Sequence, residues 1–187
     1  MSKAVLIAIR PDWCALIASG KKTIEIRKTR PKLETPFKCY IYCTKSGPLI
    51  LAKPSQRFGN GLIIGEFICD KISRYTPAGF RRDRISYKSF NGLTFTNEIN
   101  YSAIGLSEIE LAEYGSGKTL FGWHISKLKI YGQPKELRVF HWTNMECIAH
   151  GADGVPRCEK GKPCSACSVT RAPQSWCYVE ESTIPGG

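Results

Sequence analysis

Apolar and polar positions alternate along this chain with two different periods. The run AVLIAI at 4–9 is short and continuously apolar, which predicts a buried strand. Pro11 and Asp12 then suit the first turn of a helix: proline has no amide to satisfy there, and a carboxylate complements the positive end of the dipole. Trp13, Leu16 and Ile17 share one helical face, and Gly20 supplies a left-handed residue to end the helix. Residues 23–28 alternate, with Ile24 and Ile26 pointing one way and Thr23, Glu25 and Arg27 the other. The predicted order is strand, helix, tight turn, strand.

The same reading continues along the chain. FKCYIYCT (37–44) sets Cys39, Ile41 and Cys43 against Tyr40 and Tyr42. GLIIGEFICDKI (61–72) predicts a longer strand, bent at Gly65, with Glu66 inside an apolar run. Residues 76–100 read as irregular. LSEIELAEYG (106–115) predicts a helix with Ser107 as N-cap, Glu110 completing a capping box and Gly115 as the stop. Residues 120–131 form another predicted strand, and 137–142 the last element of the main domain. The expected fold is mixed α/β but mostly β. It is a small antiparallel barrel with flanking helices over residues 1–142, followed by a Cys-rich C-terminal extension, 143–187, that packs on it.

Charge narrows the class of partner. The net charge is +11, and residues 1–60 carry 12 Lys/Arg against 3 Asp/Glu, so most of the excess lies in the first third. Residues 20–32 concentrate six cations around one acid, Glu25. An anionic partner follows, with a solvated basic surface as the plain alternative. AVLIAI runs straight into Arg10 and Pro11 and is too short for a signal-peptide core or a membrane span. A cytoplasmic protein with no membrane partner is therefore expected.

Without an export signal, the nine cysteines are expected as thiols or metal ligands. Five of them fall between Cys147 and Cys177. Cys147, Cys158, Cys164 and Cys167, the last two in a knuckle spacing, would close a tetrahedral structural Zn²⁺ site, with His150 and Cys177 as alternative ligands. A set of reduced structural thiols is the competing reading. Cys14, Cys39, Cys43 and Cys69 lie in core patterns.

At this point two segments carry a resemblance. PDWCALIASGKKTIEIRKTRP resembles the signature of ASCH domains, a helix followed by Gly-x-Lys-x-x-Glu-x-Arg entering a strand, and YGSGKTLFGWHISKLKIYGQP resembles a later strand of the same domains. The resemblance as a whole spans roughly residues 4–140. The tail segment RAPQSWCYVEE is similar to the C-terminus of phage and prophage members. The resemblance implies a PUA-like β-barrel that binds RNA, single-stranded nucleic acid or a modified nucleotide in a basic cleft around Gly20, Lys22, Glu25 and Arg27. It also implies an alternative, a hydrolase acting on RNA or a modified nucleoside, with Lys22, Glu25 and Glu66 as catalytic residues. In members that deacetylate N4-acetylcytidine, the position of Glu25 holds a threonine nucleophile, and a carboxylate beside Lys and Arg cannot be activated as a hydroxyl is. A phage-encoded interaction protein without a nucleic-acid ligand is the third class.

Within the binding reading, Lys22 and Arg27 are expected on phosphate, and Glu25 on a base edge. Lys21, Lys28, Arg30 and Lys32 add salt-sensitive attraction, and Lys45 in TKSG offers a further phosphate contact. Trp13 and Trp176 are candidates for base stacking, and Tyr40 and Tyr42 are more simply core. Glu66 is expected to pair with a basic residue, Lys22 being the candidate, or to be an exposed strand residue. His124 reads as a satisfied structural histidine.

Overall fold

Six consecutive apolar side chains, Ala4 to Ile9, are all buried in the first strand, β1 (Lys3–Ile9). A strand covered on both faces must be central, and β1 runs between a parallel neighbour, β3 (Phe37–Cys43), and an antiparallel one, β8 (Trp176–Glu180). A parallel pair needs a crossover. It is provided by α1 (Pro11–Ala18) and β2 (Ile24–Arg27), and this one parallel pair sits within a mostly antiparallel sheet. In this computed structural model the described residues are 3–45, 60–81, 84–90, 95–96, 98–142 and 167–180. The remaining elements are β4 (Ile63–Arg81), β5 (Arg84–Phe90), β6 (Phe95–Thr96), α2 (Tyr101–Ile104), α3 (Glu108–Gly115), β7 (Leu120–Lys135) and a 3-10 turn (Leu137–Val139). Strands pair in the order β2-β7-β4-β3-β1-β8, with β5 on β4 and β6 on β5.

The chain divides into two compact units. The first comprises residues 1–14, 38–67 and 128–187. Its core includes Leu6, Tyr40, Tyr42, Ile63, Tyr131, Phe140, Val169 and Val179, with the Tyr40 and Phe140 rings 4.4 Å apart. Tyr40 and Tyr42 are therefore core residues. Gly65 serves close packing, because a Cβ there would collide with the Lys129 carbonyl. Residues 167–180 belong to this same sheet. The Val169 amide donates to the Phe140 carbonyl at 2.8 Å, Trp142 bridges Val179, and β8 lies along β1 from Lys3↔Glu180 to Ile7↔Trp176. Cys147, His150, Cys158 and Cys164 lie outside the described residues. Cys167 is buried, and among the described residues no three His, Cys, Asp or Glu side chains cluster for a metal.

The second unit comprises residues 15–37 and 68–127. Its core gathers Ile24, Ile26, Tyr75, Tyr87, Ile99, Ile104, Leu111 and Leu120. The capping box at Ser107 and Glu110 forms as the sequence predicts, but the left-handed C-cap is Ser116 (φ 47°) and not Gly115. Gly115 has a different duty, since the Tyr87 hydroxyl occupies the space of its missing Cβ. Most of the described residues between 76 and 96 lie in strands, where the sequence reads as irregular. β4 continues to Arg81 and returns as β5, with a register shift between Pro77 and Gly79 (φ 120°). Two residues that usually break strands are accommodated here in a bulge. Among the described residues no helix is long and apolar enough to cross a membrane.

Candidate nucleic-acid interface

The exit from α1 is fixed by backbone hydrogen bonds. The Gly20 amide donates to the Ile17 carbonyl and the Lys22 amide to the Leu16 carbonyl at 3.0 Å. Thr23 then donates to Ala103 at 2.8 Å, which delivers the chain to β2. There Ile24 pairs with His124 and Glu25 with Trp123 of β7. Directly paired residues share a sheet face, so Glu25 lies on the same side as the fully buried Trp123. The alternation along β2 separates two faces, and both are covered.

A carboxylate taken out of water needs cations, and two flank Glu25. Its Oε2 lies 3.3 Å from Lys22 Nζ and its Oε1 3.1 Å from an Arg27 guanidinium nitrogen. Lys22 and Glu25 are each 3% exposed. Lys22 Nζ also donates to the carbonyls of Ile24 at 2.9 Å and Ile104 at 2.5 Å, so its three N–H groups all face acceptors. Burial pushes the Lys22 ammonium below its ordinary pKa, with Glu25 opposing and Arg27 adding to the shift. The triad is a buried clamp that ties β2 to the end of α2. Lys22 as folded is buried, with its ammonium directed at the Ile24 and Ile104 carbonyls and in ion-pair range of Glu25. A general base or nucleophile needs an accessible lone pair, and Glu25 offers little surface.

Glu66 does not pair with Lys22. It accepts from the Tyr131 hydroxyl at 2.6 Å and lies 3.6 Å from Lys38 Nζ, all within the first unit. Burial, and then Glu66, raise the Tyr131 phenol above its ordinary pKa. Trp13 is half-buried, with the Arg10 guanidinium 5.8 Å from its ring, and Trp176 is half-buried edge-on to Tyr178 at 5.4 Å. Lys45 is exposed, with its methylenes against Gly61.

Four other cations of the same run reach solvent. Lys21, Lys28, Arg30 and Lys32 are all exposed, and Lys28 Nζ stands 5.1 Å from the Tyr114 ring centre. Downstream of β2 the chain lines a groove of about 600 Å³ with Arg30, Pro31, Lys32, Leu33, Glu34 and Thr35, closed by Ile72 from β4. Leu33, Glu34 and Thr35 carried no sequence signal, because a connection between strands has no period, and Ile72 was read only as part of a strand.

His124 has a partner, as its reading as a structural residue requires: its Nε2 lies 2.7 Å from Ser73 Oγ. Its pKa is lowered from 6.5, first by burial and then by Lys71, with Asp70 opposing. The unfolded chain therefore takes up a proton below pH 6.5 that the folded chain resists, so stability falls as pH drops through that range. His124→Gln, which keeps a polar group for Ser73, is expected to give a shallower acid limb in urea midpoints measured from pH 7 to 5. An unchanged limb would assign the acid sensitivity elsewhere.

No protein-family model and no curated protein matches the chain. Solved structures do. A serine-to-alanine variant of ASCH from Zymomonas mobilis is 17% identical over 95% of this chain and 89% of that one, with a TM-score of 0.51. ASCH from Zymomonas mobilis itself is 20% identical over 72% of this chain and 73% of that one, with a TM-score of 0.48. The likeness to the first is one of fold: the chain shares with that ASCH structure a mostly β architecture with flanking helices.

Proposed function

We propose that this chain binds single-stranded RNA, or a nucleotide, through the exposed basic strip that surrounds the buried Lys22–Glu25–Arg27 triad. One observation carries the reading. The run 20–32 sorts its charges: Lys22 and Glu25 are sequestered as a clamp, while Lys21, Lys28, Arg30 and Lys32 are held in solvent. Lys21 and Lys28 flank β2, and Arg30 and Lys32 lie in the connection that follows it, so one short stretch of backbone presents four exposed cations to phosphates. The aromatic ring of Tyr114 beside Lys28 adds a flat apolar surface of the kind on which bases stack. The ASCH fold agrees with a nucleic-acid ligand by analogy. A hydrolase that uses Lys22 and Glu25 is the weaker reading, because both groups are buried and occupied with each other.

The test is salt-dependent binding of a single-stranded oligoribonucleotide. Each exposed cation that neutralises a phosphate contributes about −0.7 to the slope of log affinity against log salt. Lys21→Ala/Lys28→Ala is expected to lower affinity at low salt by about tenfold and to flatten the slope by about 1.4, with unchanged stability. Equal slopes for the two proteins would remove the strip from the interface.

A further inference from the structure

The groove beside the basic strip has a composition that the strip alone does not explain. It combines two cations, Arg30 and Lys32, with one carboxylate, Glu34, and with apolar walls from Leu33 and Ile72. Its volume of about 600 Å³ lies within the range of small-ligand sites. Simple attraction of phosphate would be served better without Glu34. An acid placed among cations and apolar walls suits a ligand that is anionic at one end, flat and apolar over its middle, and rich in hydrogen-bond donors at the other.

We infer that this groove is a guanine-nucleotide subsite, with Arg30 and Lys32 holding the phosphate, Leu33 and Ile72 the faces of the base, and Glu34 its donor edge. The inference rests on the nucleic-acid reading above and makes it specific. The choice of base follows from the carboxylate, which only accepts hydrogen bonds. Guanine presents two adjacent donors, the ring N1–H and the exocyclic amine, and both oxygens of Glu34 are satisfied at once. Adenine and cytosine place an amine next to a ring-nitrogen lone pair, which repels the second oxygen. Uracil places one N–H between two carbonyls, which repel on both sides. Such edges are open to reading only in a single strand or a free nucleotide. A paired contact of this kind discriminates by at least about fivefold.

The experiment is calorimetric titration of the full chain at low salt with GMP, AMP, CMP, UMP and inorganic phosphate, together with oligo-U binding, for the native protein and Glu34→Gln. Glu34 is exposed, so the substitution leaves the core intact. The expected result is one GMP site at least about fivefold tighter than for the other nucleotides. In Glu34→Gln the advantage falls to near unity, while oligo-U binding is retained or strengthened, since a negative charge beside Arg30 and Lys32 is removed. Oligo-U binding without any preference for GMP, or a preference that survives Glu34→Gln, overturns the subsite and leaves the basic strip standing. A Glu34-dependent GMP preference without oligonucleotide binding supports the subsite and overturns the wider reading. Binding of neither overturns both.

Discussion

Replacing Lys22 with methionine is expected to destabilise the folded chain by about 3–5 kcal/mol, the usual cost of breaking a buried ion pair from one side. The substitution keeps the length of the side chain and removes its charge. It leaves the carbonyls of Ile24 and Ile104 without the ammonium that now serves them, and leaves Glu25 with Arg27 alone. Because the penalty comes from orphaned partners, Lys22→Met/Glu25→Leu is expected to recover part of it. Urea unfolding of the three proteins measures this. A Lys22→Met midpoint equal to the native one would mean that the ammonium is not sequestered, and would return Lys22 to the candidates for phosphate contact.

The same group gives a pH signature. In the folded chain the pKa of Lys22 lies below 10.5. As pH climbs towards 10.5, the folded chain begins to release a proton that the unfolded chain still holds, so stability rises with pH in that window. Several buried tyrosines, Tyr75 and Tyr131 among them, have raised pKa values and act in the opposite sense above pH 10. The difference between native and Lys22→Met proteins isolates the lysine. It is expected to be larger at pH 10 than at pH 7.

The sequence exposes the local parts of this molecule and hides the distant ones. The opening strand, helix and turn are legible because Pro11, Gly20 and an unbroken apolar run are all local signals. The Ser107–Glu110 capping box is legible for the same reason. Glu25 was readable as the partner of Lys22 and Arg27, which are three and two residues away. That this cluster is buried was not readable. Periodicity separates the faces of a strand but does not say which are covered, and the cross-strand neighbour of Glu25 is the buried Trp123, some hundred positions along the chain. The Ile104 carbonyl that accepts a hydrogen bond from Lys22 is also remote. Pro77 and Gly79 misled in the other direction. They are strand breakers by composition, yet the antiparallel partner β5 absorbs them in a bulge. Glu66 found Tyr131 and Lys38, contacts between separate segments that no spacing announces.

Ending the chain after residue 166 is expected to unfold the first unit, a larger effect than any single substitution above. The tail is Cys-rich and short of large apolar residues before residue 167, and by composition it reads as an appendage. From residue 167 onward it is structural. Cys167, Val169 and Val179 are fully buried, and β8 supplies the antiparallel partner of β1, whose residues 4–9 are all buried. Each valine contributes about 1.5–3 kcal/mol by leaving water. The exposed edge of β1 would add unpaired amides and carbonyls beside a continuous apolar surface, a template for aggregation. These losses approach the total stability of an ordinary domain, about 5–15 kcal/mol. Val179→Ala provides a graded version. It opens a cavity beneath Trp142 and the β1–β8 ladder, and is expected to cost about 2–3 kcal/mol with the fold retained. Circular dichroism and size-exclusion of the truncated chain, with urea midpoints for Val179→Ala, decide the matter. A truncated protein that stays monomeric with the native midpoint would make residues 167–187 a true appendage and restore the division of the chain at residue 142.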